Sequence, residues 1–326
     1  MLSTRKAAFV ALFLATGITV AARAQEGANP SPADMAAAQA KRDAIPDTAG
    51  DGPFPAIMET DPSLPGHVIY RPKDLSAMGG RKLAVLAWGN GGCSDDGASA
   101  RLHLAEIASY GYLVIAPGEW RSGPQATATR KPFRGAGADG QLPPPATTAA
   151  DVRAGIDWAI AQNGKSDSPY SGRIAIDQIA VAGHSCGGLQ AIELAPDPRV
   201  KTVMINNSGI FNNGVQAIAG LHVDKAMLDR FHTPTLYILG GPTDIAYANG
   251  VDDFSRIEKV PAILLNLPVG HGGTFFEPMG GAVAHVAVDW LEWQLRGDRS
   301  AARTFKGQNC RLCSGTDWTI EKKRID

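Results

Sequence analysis

Gln178-Ile179-Ala180-Val181-Ala182-Gly183-His184-Ser185-Cys186-Gly187-Gly188 is a short apolar run that ends in a Gly-x-Ser-x-Gly turn, and Leu189-Gln190-Ala191-Ile192-Glu193-Leu194 continues it as a helix-compatible segment. The order strand, turn, helix says more than the five-residue pattern. A serine on a tight turn between strand and helix is held in a strained backbone conformation, with its hydroxyl raised above the sheet edge. The glycines at 183 and 187 let the turn close and let the helix lie near the strand. A strand-to-helix connection packed with small residues has the same local pattern, so a catalytic Ser185 requires partners elsewhere in the chain.

Outward from this turn, apolar runs alternate with helical stretches. Residues 56–59, 67–71 and 82–88 read as strands, 102–110 as an amphipathic helix and 112–116 as a buried strand. Residues 148–162 read as a helix capped by Thr148; strands follow at 200–206, 235–239 and 262–267, and a last helix at 282–295. This alternation predicts an α/β fold, a mostly parallel sheet with helices on both faces. The short stretch between 206 and 235 leaves no room for a large lid domain, so an open cleft is expected. In such sheets the functional edge lies at the carboxyl ends of the strands.

That edge selects the partners. Asp244 follows the strand at 235–239 through Gly240-Gly241-Pro242-Thr243, and His271 follows the strand at 262–267 through Pro268-Val269-Gly270. The chain order is Ser, Asp, His, as in an α/β-hydrolase. The residue types fit the chemistry. A serine hydroxyl becomes nucleophilic when a neutral imidazole takes its proton, and a carboxylate fixes the imidazole tautomer and stabilises its charged form. Asp252 and Asp253 are rival acids, but Asp244 directly follows a strand. His67, His103, His222, His232 and His285 are read as surface or packing residues, and His184 as a structural residue pointing away from the site.

Trp88-Gly89-Asn90-Gly91-Gly92-Cys93 closes the first strong strand, and glycines there let backbone N–H groups face a developing oxyanion. Gly92 and Cys186 are the expected donors, with Gly91 the substitute for Gly92, and Asn90 is expected to brace the loop. A phosphate loop is disfavoured, because no Gly-Lys-Ser/Thr and no Gly-x-Gly-x-x-Gly opens a helix. Trp88 is read as packed rather than facing substrate.

With these residues in view, the chain resembles secreted α/β-hydrolases of the chlorophyllase, dienelactone-hydrolase and polyester-hydrolase (cutinase/PETase-like) neighbourhood. The resemblance runs over about residues 52–294, through Gly52-Pro53-Phe54, Ile69-Tyr70-Arg71-Pro72, Trp88-Gly89-Asn90-Gly91-Gly92, Gly111-Tyr112-Leu113-Val114-Ile115-Ala116-Pro117 and Gly183-His184-Ser185-Cys186-Gly187-Gly188. It implies hydrolysis of a small-molecule or polymeric ester through an acyl-enzyme, without metal or organic cofactor. Two positions depart from the pattern: Cys186 replaces a methionine often found after the serine, and Asn90-Gly91-Gly92 differs from the Pro-Gly-aromatic of polyester hydrolases. Dienelactone hydrolases proper carry a cysteine where this chain has Ser185.

The four cysteines of an exported chain favour disulfides, with three possible pairings. Cys93 follows one proposed oxyanion donor and Cys186 is the other, so the fold that builds the hole brings them together. A Cys93–Cys186 bond is therefore expected, with Cys310 and Cys313 pairing locally. Cys310-Arg311-Leu312-Cys313 as half a zinc site has no second Cys/His pair nearby, and no metal site is expected.

The chain has 326 residues, 37 Gly, 22 Pro, 19% charged residues and a net charge of -1, a globular composition without the basic stripe of a nucleic-acid binder. Residues 1–24 read as a signal peptide: Arg5 and Lys6 precede an apolar run too short for a comfortable membrane span, and Ala22-Arg23-Ala24 supplies a cleavage pattern. Residues 25–52 read as a flexible leader with a marginal helix near 33–42, residues 53–296 as the catalytic domain, and 297–326 as a polar tail carrying a Cys pair. The sum is an exported, monomeric serine ester hydrolase without stable membrane insertion. A peptidase or acyltransferase on the same triad, or a silent binding protein of the same fold, is the alternative.

Overall fold

The computed structural model describes residues 32–131, 141–214 and 217–325. The expected signal peptide lies outside the described residues. Residues 1–39 and 40–326 are two compact units; the described part of the first is the beginning of helix α1 (Pro32–Asp43).

Along the chain follow β1 (Ala56–Glu59), β2 (His67–Pro72), β3 (Leu83–Gly89), α2 (Arg101–Ser109), β4 (Tyr112–Pro117), α3 (Ala149–Gly164), β5 (Ile174–His184) and α4 (Cys186–Leu194). Then come β6 (Val200–Asn206), β7 (Thr235–Leu239), α5 (Tyr247–Arg256), β8 (Ala262–Asn266), α6 (Gly281–Arg296), α7 (Arg299–Ala302) and β9 (Thr319–Lys323). One nine-stranded sheet holds them in the order β1-β2-β4-β3-β5-β6-β7-β8-β9. The six strands from β4 through β8 run parallel, while β1, β2 and β9 join antiparallel at the edges. The α/β reading of the sequence therefore holds.

Two-residue periodicity divides the core between the two faces. In β3, Leu83, Val85 and Ala87 join the core beneath α3 and α4, while Ala84, Leu86 and Trp88 join the one beneath α2 and α6. The capping box at Thr148, whose hydroxyl accepts from Asp151 N while the Asp151 carboxylate accepts from Thr148 N, sets the start of α3 as its sequence suggests. Strand order reverses beside β3, with β4 on one side and β5 on the other. The carboxyl ends of β3 and β5 flank this reversal, the place where open α/β sheets hold ligands.

Two segments differ from the sequence reading. Residues 42–52, placed in a leader by composition, are tied to α2: buried Arg101 donates to the carbonyls of Arg42 and Ile45 and pairs with Asp47 at 2.6 Å. Asp51 N and Gly52 N donate to Glu106 and Ser109. Polar bonds rather than an apolar stripe hold this segment, so apolar periodicity gave no sign of it. In the expected tail, Thr319-Ile320-Glu321-Lys322-Lys323 forms β9 against β8, a lysine-bearing edge strand of the kind that closes a sheet to further pairing.

Between β6 and β7 the described residues contain two short 3-10 segments, Asn212–Gly214 and Lys225–Arg230, and no longer helix. No helix among the described residues is long and apolar enough to cross a membrane.

Candidate active site

Ser185 stands between β5 and α4 with φ 52° and ψ -122°, a region an L-residue enters only under constraint. Its neighbours supply the constraint. A Cβ on Gly183 would lie 2.1 Å from the Gly187 carbonyl oxygen, and one on Gly187 would lie 2.1 Å from the Gly89 carbonyl. Helix α4 thus starts against the ends of β5 and β3 at a distance only glycine allows. Ser185 N donates to Asn206 O at 2.9 Å, and the Ser208 hydroxyl donates to Ser185 O at 2.7 Å, which fixes the turn from the β6 side.

The three side chains chosen from the sequence meet. His271 Nε2 lies 2.9 Å from Ser185 Oγ, and His271 Nδ1 lies 2.6 Å from Asp244 Oδ1. Asp244 is buried at 3% exposure, and its carboxylate accepts from Ala246 N, Gly240 N and Asn207 Nδ2 as well as from the imidazole. Burial by itself would raise this carboxyl; the hydrogen bond from His271, with the Ala246, Gly240 and Asn207 donors, outweighs it and holds the group at about 2. An ionised Asp244 has no proton to give, so the hydrogen of this bond sits on His271 Nδ1 and the neutral ring has Nε2 free to accept from the serine hydroxyl. That is the tautomer a general base requires.

The glycine-rich loop after β3 is tied to the residue following Ser185 by the Cys93–Cys186 pair. Asn90 braces it, its amide donating to Ser94 O at 3.0 Å and to Pro117 O at 2.6 Å, as its sequence position suggests. Gly92 has φ 64°, and no atom of the described residues lies within 4 Å of the place its Cβ would take. Cys186 is the first residue of α4, so its N–H belongs to the unpaired set at a helix start. The Cα atoms of Cys93 and Cys186 are 5.2 Å apart, at disulfide distance, and Cys310 and Cys313 form the second pair at 4.9 Å.

His184 departs from expectation. Its ring lies 5.3 Å from that of His271 instead of pointing away, and its Nε2 donates to the His271 carbonyl at 2.8 Å. Burial pushes it down to about 4, more strongly than the bond to the His271 carbonyl opposes, so it is neutral when it makes this bond. Phe275, His103 and fully buried Trp88 extend the aromatic packing beneath it. The strand pattern at 174–184 places alternate side chains on alternate faces, but the position of the His271 loop over one face is a tertiary matter.

The rival acids are engaged elsewhere. Asp253 is buried against Lys225 Nζ at 2.6 Å, Ile210 N and the Tyr237 hydroxyl, and Asp252 pairs with Arg256 and Lys225. In the loop between β4 and α3, Arg121, Arg130 and Lys131 pair with Asp95, Asp96 and Asp43. Phe133 and Arg134 of that loop lie outside the described residues.

Sequence reading missed Asn207. Its amide reaches Asp244 Oδ2 at 2.8 Å and Gly270 O at 3.1 Å, joining the acid loop to the histidine loop. The available signal was the polar triplet Asn206-Asn207-Ser208 directly after an apolar strand, at the sheet edge where Ser185 sits.

Among known proteins, no family model and no curated sequence matches the chain.

Proposed function

We propose that this chain is an exported serine hydrolase of the α/β-hydrolase kind that cleaves carboxylic esters through an acyl-enzyme. The observation that carries the proposal is the continuous chain of bonds from Asp244 through His271 to a serine held at a strained strand-to-helix turn.

In this reading His271 Nε2 takes the Ser185 proton as Oγ attacks the ester carbonyl. The oxyanion that forms is received by the N–H groups of Cys186 and Gly92, donors placed before the charge appears. When the tetrahedral species collapses, His271 returns the proton to the departing alcohol. Water then attacks the acyl-serine with His271 taking its proton, and as the Ser185 Oγ–acyl bond breaks His271 gives that proton to Oγ, releasing the acid and restoring the free serine. Asp244 remains ionised throughout and stabilises the imidazolium at each stage. Two disulfide pairs support export to an oxidising compartment.

A p-nitrophenyl ester series from acetate to octanoate tests the proposal. Turnover by wild type, with background rates for Ser185→Ala and His271→Ala, is the expected result, and the chain-length profile then sizes the acyl pocket. A wild type that reacts covalently with a serine-directed probe yet turns over no ester points to peptide or acyl-transfer chemistry instead.

A further inference from the structure

Glu106 sits in α2 with its side chain fully buried, and the Nδ1 of His285 lies 3.7 Å from Glu106 Oε1. Oε2 accepts from Asp51 N at 2.9 Å, while Oε1 has no hydrogen-bond partner among the described residues. A second carboxylate, that of Asp51, faces the same point and accepts from the Tyr110 hydroxyl at 3.0 Å. One ligand atom each from Asp51, Glu106 and His285 lies within 4.8 Å of the others. Three separate parts of the chain, the segment before β1, α2 and α6, therefore turn their donors to one spot.

A buried carboxylate oxygen without a donor is costly, and more so beside a second carboxylate. Either a proton or a cation relieves it. A metal ion would replace that proton, satisfy the orphan oxygen and turn mutual repulsion into shared attraction.

We propose that Asp51, Glu106 and His285 form a structural site for a divalent transition-metal ion of the Zn²⁺ type, which fastens the segment at residues 42–52 and helix α6 to α2. The donor set selects the metal. Calcium takes about six to eight oxygen ligands, whereas an imidazole nitrogen with two carboxylates suits zinc and its neighbours. Zinc holds such atoms at about 2.0–2.2 Å, so the group closes with small rotations of Asp51 and His285, the two exposed members. Their exposure also gives the ion an entry path and leaves room for water in its remaining positions. All four cysteines are paired, so no thiolate competes.

The test uses the full chain, stripped with EDTA and dialysed, then titrated with ZnCl₂ by calorimetry and followed by thermal unfolding. Expected are one equivalent bound per chain and a raised midpoint. His285→Ala and Asp51→Asn should weaken binding at least about tenfold and abolish the shift, while His271→Ala should keep both. His285→Ala alters a half-exposed side chain and keeps the test open if Glu106→Gln does not fold. No saturable binding would overturn the proposal. So would wild-type binding by His285→Ala and Asp51→Asn, or a shift given by CaCl₂ and not by ZnCl₂.

Discussion

Cys93 and Cys186 join the loop after β3 to the first turn of α4, and Cys186 is also the residue that follows Ser185. One covalent bond therefore ties the two proposed halves of the oxyanion hole. Cys93 adopts φ 44° and its carbonyl accepts from both Ala146 N and Thr147 N, so the loop it anchors is held from a third side.

The two disulfides should differ sharply in worth. Cys93 and Cys186 are 93 residues apart, and by the chain-entropy estimate opening that loop costs roughly 4 to 5 kcal/mol. Cys310 and Cys313 are separated by 3, for which the same estimate gives about 2 kcal/mol. Denaturant unfolding of Cys93→Ala/Cys186→Ala and of Cys310→Ala/Cys313→Ala should show this order, and only the first pair should also lower kcat. Equal losses would mean that loop closure is not what the long disulfide supplies.

Ser185 should be a residue whose removal stabilises. Its φ of 52° with ψ of -122° suits glycine, and relief of such strain amounts to about 1–3 kcal/mol. Ser185→Gly is expected to unfold at higher denaturant than Ser185→Ala, with both inactive. If glycine gives no gain over alanine, the turn is unstrained.

Asn207 should act through Asp244. It has φ 45°, so Asn207→Gly keeps the backbone at ease while deleting the amide that holds the carboxylate. A fall in kcat of roughly tenfold with KM little changed is expected, in line with the loss of one hydrogen bond to a charged group. A change confined to KM would place Asn207 in substrate binding.

Asp244 links activity to acid stability. Its folded value of about 2 lies below the ordinary 3.8, so its contribution is present above about pH 4 and is lost as pH falls toward 2. Asp244→Asn should lower kcat by roughly ten-thousand-fold through the wrong imidazole tautomer. Its stability deficit, up to roughly 2 kcal/mol at neutral pH, should shrink as pH drops through that window. A deficit that is constant from pH 6 to pH 2 would contradict the assignment of an ionised, hydrogen-bonded carboxylate.

The parallel strands were legible because they are buried on both faces and read as unbroken apolar runs: β6 and β7 match at both ends, and β3, β4 and β8 to within a residue. The triad was legible for a related reason, since each member directly follows such a run. Helix α5 was not, because the sequence Tyr247-Ala248-Asn249-Gly250-Val251-Asp252-Asp253-Phe254-Ser255-Arg256 carries few apolar residues and an internal glycine. Strand β9 escaped because its alternating, lysine-bearing sequence suits a half-exposed edge as well as a loop. Asn207 and His184 escaped because their roles arise from contacts across 37 and 87 residues, which no local pattern records.

Covalent labelling tests the central claim most directly. Wild type treated with a fluorophosphonate should gain one adduct by intact mass, located by peptide mapping on Ser185, and Ser185→Ala should gain none. A folded wild type that stays unmodified, or an adduct that persists in Ser185→Ala, would contradict the assignment of Ser185 as a nucleophile activated by His271.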